Sequence, residues 1–140
     1  MRINTLTLNP AVDRTMYFDG IFKAGELNRS RESFDTAGGK GINVTRVAKR
    51  LGMDSTAYGF VGRGGGGQLF ESLLRRESVD TDFVYTEADT RINIKMIDRD
   101  NICTEANLPG GPVTKSETDE LFNKLTENNS PVSTDWFVMG

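Results

Sequence analysis

Gly38, Gly39, Lys40, Gly41 and Asn43 bring three glycines, one cation and one carboxamide to the mouth of a helix, a combination able to grip a small polar ligand. The first N–H groups of a helix lack intrahelical partners and the dipole there favours negative charge, while residues without Cβ let a ligand approach the main chain. Lys40 adds a point charge, and the Asn43 amide can both donate to and accept from hydroxyls. The same residues also suit a plain glycine turn joining a strand to a helix. A Walker A loop fits less well: Phe34 stands where that motif needs glycine, and Gly41 where it needs Ser or Thr. Further along, Arg91, Asn93 and Lys95 alternate with Ile92, Ile94 and Met96, so one strand face is polar and cationic and the other apolar. Two cations on that face could converge on a phosphate, or simply solvate a strand edge. Asp13, directly after the Asn9-Pro10 stop, reads from its position as a turn carboxylate.

The elements that must position these groups follow from periodicity. Residues 2–8 are strand formers ending at Asn9-Pro10. Residues 12–18 and 27–36 alternate loosely, as in a ribbon exposed on one side. After the glycines, Val44, Val47, Ala48 and Leu51 give a helical apolar stripe, with Thr45, Arg46, Lys49 and Arg50 opposite and Gly52 as a stop. Ser55 to Val61 reads as a buried strand and Leu69, Phe70, Leu73 and Leu74 as a helix. This βαβα progression marks a mostly parallel sheet covered by helices. Asp98-Arg99-Asp100-Asn101 reads as a hairpin turn, and Asn107 to Pro112 as a loop. Thr114 and Glu117 form a capping box for a helix striped by Thr118, Leu121, Phe122 and Leu125, which 128–131 would end before a buried strand at 134–139.

The run Gly62 to Gly67 satisfies G-x-G-x-x-G, with Asp80 beyond it, which formally matches a dinucleotide fingerprint. Such a fingerprint normally follows the first strand of its unit, and five glycines in six residues match by composition alone. A flexible turn is the preferred reading.

Composition narrows the classes. The 140 residues are 36% apolar with both charge signs mixed, as in a globular domain. No apolar run reaches the roughly 20 residues of a membrane span, and neither a membrane partner nor a secretory leader is expected. A net charge of −3 argues against nucleic acid as a partner. Lone Cys103 excludes an internal disulfide and fits a reducing cytoplasm. Without histidine, Ser–His and Cys–His nucleophile pairs are excluded within these residues, and any metal would be a hard cation held by oxygens.

Ala37 to Val44 (AGGKGINV) closely resembles the first signature of the ribokinase-like carbohydrate kinases. Thr5 to Asp13 (TLTLNPAVD) and Thr90 to Lys95 (TRINIK) look like the 1-phosphofructokinase and tagatose-6-phosphate kinase branch, the former being the closer likeness. The resemblance implies a three-layer α/β/α core with a mostly parallel sheet plus a small β lid inserted at about 12–36 and 90–106. It implies ATP-dependent phosphorylation of fructose 1-phosphate to fructose 1,6-bisphosphate, with ATP and Mg as cofactors, or the equivalent reaction on tagatose 6-phosphate. Asp13 would bind sugar hydroxyls, Gly38, Gly39 and Asn43 would line the sugar, and Lys40, Arg91 and Lys95 would meet its anionic end. The resemblance also implies a homodimer through the lid, with the Gly25 to Arg29 loop leaning over the partner's site. The family's catalytic Asp lies in a later G-A-G-D motif, and its G-S-x-P turn and N-x-x-E magnesium motif also lie later. None occurs here, so 1–140 is expected to be the N-terminal part of such a kinase, a truncated or split product, inactive alone. A non-catalytic sugar-phosphate binding or dimerisation module is the alternative.

Overall fold

The computed structural model describes residues 2–127 and 136–140. The elements run β1 (Ile3–Thr7), β2 (Ala11–Phe18), β3 (Ser30–Gly38), α1 (Lys40–Arg50), β4 (Thr56–Gly62), α2 (Gly65–Arg76), β5 (Asp80–Thr86), β6 (Arg91–Ile97), β7 (Cys103–Asn107), α3 (Lys115–Glu127) and β8 (Trp136–Met139). They form two four-stranded sheets, a parallel one in the order β5-β4-β1-β8 and a mixed one in the order β3-β2-β6-β7. In the mixed sheet β2 runs parallel to β6, and the flanking pairs are antiparallel. This is the α/β architecture expected from the strand and helix progression.

Strand β4 lies between two cores, which is why its sequence is apolar without a break. Ala57 and Val61 join Ile42 of α1 and Phe70, Leu73 and Leu74 of α2 on one face, while Tyr58 and Phe60 join Leu6, Val84 and Leu121 of α3 on the other. Val12 and Ala37 of the mixed sheet enter the first of these cores, with Ile92 packed against it.

Several expectations are corrected. Helix α1 buries Gly41, Ile42, Thr45 and Ala48. Val47 and Leu51 are 54% and 66% exposed, so the buried stripe is rotated by about one residue, or about 100°, from the apolar reading. The cause is the surface beneath it. β1 offers Thr5, whose Oγ1 lies 2.6 Å from Thr45 Oγ1, and a buried hydroxyl pair satisfies both partners at a position that looks solvent-facing in sequence. The capping box forms, with Glu117 N–H donating to Thr114 Oγ1 and Thr114 N–H donating to Glu117 Oε2. In α3, however, Leu121 is buried and Phe122 is 66% exposed. Strand β8 pairs with β1 at the sheet edge, with Trp136 and Met139 exposed rather than buried. The expected helix stop at 128–131 and the strand residues 134 and 135 lie outside the described residues.

The glycine run is the largest correction. Gly65, Gly66 and Gly67 are the first turn of α2 rather than a flexible turn.

The mixed sheet's far end is locked by Asp98. Its Oδ1 accepts from the N–H groups of Asp100 and Ile102 at 2.9 and 3.0 Å, closing the β6–β7 hairpin, where Asn101 takes the left-handed conformation. Asp98 is buried, so Asp98→Ala leaves two turn donors without that acceptor. A loss of about 1–3 kcal/mol is expected in urea denaturation; an unchanged midpoint would show that water replaces the carboxylate fully.

Candidate functional site

The site face follows from register. Gly38, Ala11 and Arg91 form one cross-strand row; Thr36, Asp13, Asn93 and Asn107 form the next; Phe34, Thr15, Lys95 and Glu105 form the third. Residues opposite one another in adjacent strands share a face, so these rows lie on the side facing away from Val12 and Ile92.

The middle row holds the best-defined pair. Asn93 Nδ2 donates to Asp13 Oδ1 at 3.0 Å, which fixes the carboxylate and leaves Oδ2 toward Gly38. A Cβ at Gly38 would collide with that oxygen. Asn93 Oδ1 is buried without a hydrogen-bond partner among the described residues. Alternation alone makes Asn93 only a member of the polar face. Its partnership spans 80 residues and becomes visible once β2 and β6 are known to pair Asp13 with Asn93.

Gly39 is the N-cap of α1 at φ 138°, a conformation that glycine adopts without a Cβ penalty. A Cβ on Gly39 would meet Thr7 Cγ2 at 2.6 Å, and one on Gly41 would meet Thr7 Oγ1 at 2.5 Å. These glycines are therefore demanded first by the chain's own packing against β1. The cap carries no side-chain hydrogen bond, and the first turn of α1 holds no acidic residue, so its positive end is left for other acceptors. Thr7 Oγ1 is buried beside it, without a partner among the described residues. Lys40 opens the helix and is exposed.

Asn43 lies one turn further on. Its Oδ1 accepts from Arg46 Nη1 at 3.0 Å, and Arg46 is also paired to Glu77. With Thr36, Arg46, Lys49 and Val79, it lines an open cleft of about 690 Å³ beside α1. Asn43 thus borders the Asp13 row through Thr36, whose hydroxyl faces the Asp13 carbonyl at 3.5 Å.

Arg91 and Lys95 share the face but do not converge. Four strand residues separate them by roughly 13 Å. Arg91 Nη1 donates to Leu108 O at 2.9 Å and Nη2 to Asn9 O at 3.3 Å, holding the 108–111 loop against the β1–β2 turn. Its Nε–H is buried without a hydrogen-bond partner among the described residues. The structure thus brings together Asp13, Asn93, Gly38 and Arg91, with Gly39 and Lys40 at the adjoining helix mouth. Asn43 stands to one side and Lys95 at a distance.

Two carboxylates of this region are held below the ordinary range. The hydrogen bond from Arg14 lowers Asp35 on the sheet's other side, against opposing desolvation. Desolvation pushes Asp89 up, but backbone N–H donors led by Gly66, Gly67 and Thr90 outweigh it. Carboxylates depressed by folding contribute stability above their unfolded value, near 3.9, and lose it as pH falls through the folded values. The thermal midpoint is therefore expected to drop as pH is lowered below about 4, and Asp35→Asn to flatten that drop; an unchanged slope would exclude Asp35 as a contributor.

Among the described residues, no group of three or more Asp, Glu, Cys or His side chains could hold a metal ion.

The family model described as pfkB family carbohydrate kinase matches residues 6–134. The chain is similar to the 1-phosphofructokinase of Bacillus subtilis, 42% identical over 132 residues, covering 91% of this chain and 42% of that protein. Similarity to the 1-phosphofructokinase of Haloferax volcanii is 38% over 126 residues, covering 90% and 41%. The chain spans about two fifths of the length of these curated relatives. Among solved structures, phosphofructokinase-2 from Escherichia coli in complex with fructose-6-phosphate superposes at TM-score 0.87 with 29% identity, covering 99% of this chain and 45% of that one. A tetrameric inhibited form of the same enzyme matches at TM-score 0.86.

Proposed function

Because this chain belongs to the pfkB family of carbohydrate kinases, we propose that it carries the acceptor-sugar side of a kinase that phosphorylates fructose 1-phosphate with ATP to give fructose 1,6-bisphosphate. Relatives named 1-phosphofructokinase at 38–42% identity support the substrate. The observation that carries the reading is the Asp13–Asn93 pair, set between Gly38 and the Arg91 row.

In this reading the Asp13 carboxylate accepts hydrogen bonds from sugar hydroxyls while Asn93 holds it in place. Gly38 and Gly39 leave room for the ring, and Asn43, at the end of the first turn of α1 with its Oδ1 on Arg46, borders it from one side across Thr36. Arg91 meets the anionic end through its Nε–H or by exchanging a carbonyl partner, and Lys40 adds charge at the helix mouth. Lys95 acts at longer range, tuning the field along the sheet face. ATP and a divalent ion supply the phosphoryl group and its charge neutralisation when bound. No cluster of three or more Asp, Glu or Cys side chains that could hold the ion is found among the described residues, and no G-A-G-D tetrapeptide occurs in the sequence. In this reading deprotonation of the acceptor hydroxyl is assigned to a group outside these residues, and this chain alone is not expected to turn over.

That division also favours a second reading, a sugar-phosphate binding or dimerisation module. In that reading a homodimer through the lid would use exposed Phe34 of β3, stacked on Tyr17 with centroids 6.0 Å apart, and exposed Leu27 of the β2–β3 connection. No described helix is long and apolar enough to cross a membrane, and a reducing cytoplasm suits exposed, unpaired Cys103.

Calorimetric titration of the purified chain with fructose 1-phosphate, tagatose 6-phosphate and ATP tests the proposal. Saturable binding of fructose 1-phosphate, tighter than tagatose 6-phosphate, is expected. No sugar-phosphate binding at millimolar ligand would overturn it, and ADP release by the chain alone would overturn the assignment of chemistry to groups outside it.

A further inference from the structure

The glycine run from Gly62 to Gly67 finds its partner 22 residues downstream of its last member. Gly66 N–H donates to Asp89 Oδ2 at 2.9 Å and Gly67 N–H to Asp89 Oδ1 at 3.0 Å, so an aspartate distant in sequence caps α2. Asp89 Oδ1 also accepts from Thr90 N–H at 2.8 Å. Thr90, itself buried, returns the contact by accepting from Gly62 N–H through Oγ1 at 2.9 Å.

The glycines are there because the 89–90 segment occupies the space their side chains would fill. A Cβ on Gly62 or Gly66 would run into the backbone of that segment, and one on Gly64 would lie 2.5 Å from Asp89 Oδ2. A Cβ on Gly67 would strike the Gly62 carbonyl. The loop is thus a receptor for an anion, already filled by the chain's own carboxylate. The N–H groups a dinucleotide pyrophosphate would need at α2 are engaged, which removes the support for that fingerprint.

The next residue in the chain is Arg91. Its guanidinium donates to two carbonyls outside the strands, at Asn9 and Leu108, while its backbone follows directly from the clamped Asp89-Thr90. We propose that Asp89 is a positioning residue for Arg91: by seating its carboxylate on the start of α2, it fixes where β6 begins and hence where the guanidinium meets an anionic ligand. The ligand's identity as a sugar phosphate rests on the function proposed above; the coupling of Asp89 to Arg91 does not.

The test has two readouts. In proton–nitrogen NMR of the 140-residue chain, Asp89→Asn retains Oδ1 but cannot accept from Gly66. Amide exchange at Gly66 is expected to quicken at least about tenfold and the Arg91 Nε–H signal to move, with the rest of the spectrum retained. If Asp89→Asn does not fold, Asp89→Ser keeps a single oxygen that can cap only part of what the carboxylate does at Gly66 and Gly67, and the same displacement of the Arg91 signal is expected. A faster Gly66 amide with an unmoved Arg91 signal would overturn the proposal, leaving Asp89 as a helix cap only. The second readout is a cycle on fructose 1-phosphate binding. Asp89→Asn is expected to weaken it about tenfold with Arg91 present and less than twofold in Arg91→Ala; equal losses in both backgrounds would overturn the coupling. Should the unsubstituted chain bind no sugar phosphate, the substrate assignment falls and the positioning role is decided by the Arg91 signal alone.

Discussion

Asp13→Ala is expected to weaken fructose 1-phosphate binding by roughly 10- to 100-fold in calorimetric titration, with the unfolding midpoint close to unchanged. A charge-assisted hydrogen bond contributes about 1.5–3 kcal/mol, and each 1.4 kcal/mol is a factor of ten. Asp13 is half-buried, and its carboxylate receives one side-chain donor, Asn93, so the fold gives up little when the carboxylate goes. Asn93→Ala removes that donor but leaves the charge, and a smaller loss, about threefold to tenfold, is expected. Less than a threefold effect for Asp13→Ala would remove Asp13 from the site.

Gly59→Ala is expected to cost about 3–5 kcal/mol in urea denaturation, a large fraction of the roughly 5–15 kcal/mol that holds an ordinary domain folded. Gly59 lies in β4 at φ 147°, opposite Thr7 of the parallel neighbour β1. A Cβ there would enter the Thr7 carbonyl, which is backbone and cannot swing aside. Two costs add, the backbone conformation and the forced separation of two central strands. Gly20→Ala provides the contrast, since nothing lies within 4 Å of its missing Cβ. A midpoint for Gly59→Ala within about 1 kcal/mol of the parent would mean that β1 and β4 yield more readily than their register implies.

Elements with strong local signals were legible in the sequence. β4 reads as buried because it is apolar on both faces, and the α3 capping box forms from the residues expected. What escaped depends on distant partners. The rotation of α1 is set by the Thr5–Thr45 hydroxyl pair, and no helical periodicity scores a threonine as core. The order in the glycine run comes from Asp89, beyond the reach of a strand–turn–helix pattern. At the candidate site, alternation correctly put Arg91, Asn93 and Lys95 on one face, yet the rise along a strand keeps the two cations from meeting. The anchoring of Asp13 needed the β2–β6 register, which local pattern does not carry.

The mixed sheet is a cantilever. Its root, Val12, Ala37 and Ile92, is set in the core against α2, one residue from Asp13, Gly38 and Asn93, while strand β7 and most of β3 stand in solvent. Bending under load therefore has its fulcrum next to Asp13, and deflection grows toward Tyr17 and Phe18. The Asp13 carboxylate thus sits where displacement is expected to be smallest and the tip where it is expected to be largest. Substitutions at the tip are expected to leave the mounting intact, and amide exchange along β2 should quicken from Val12 to Tyr17.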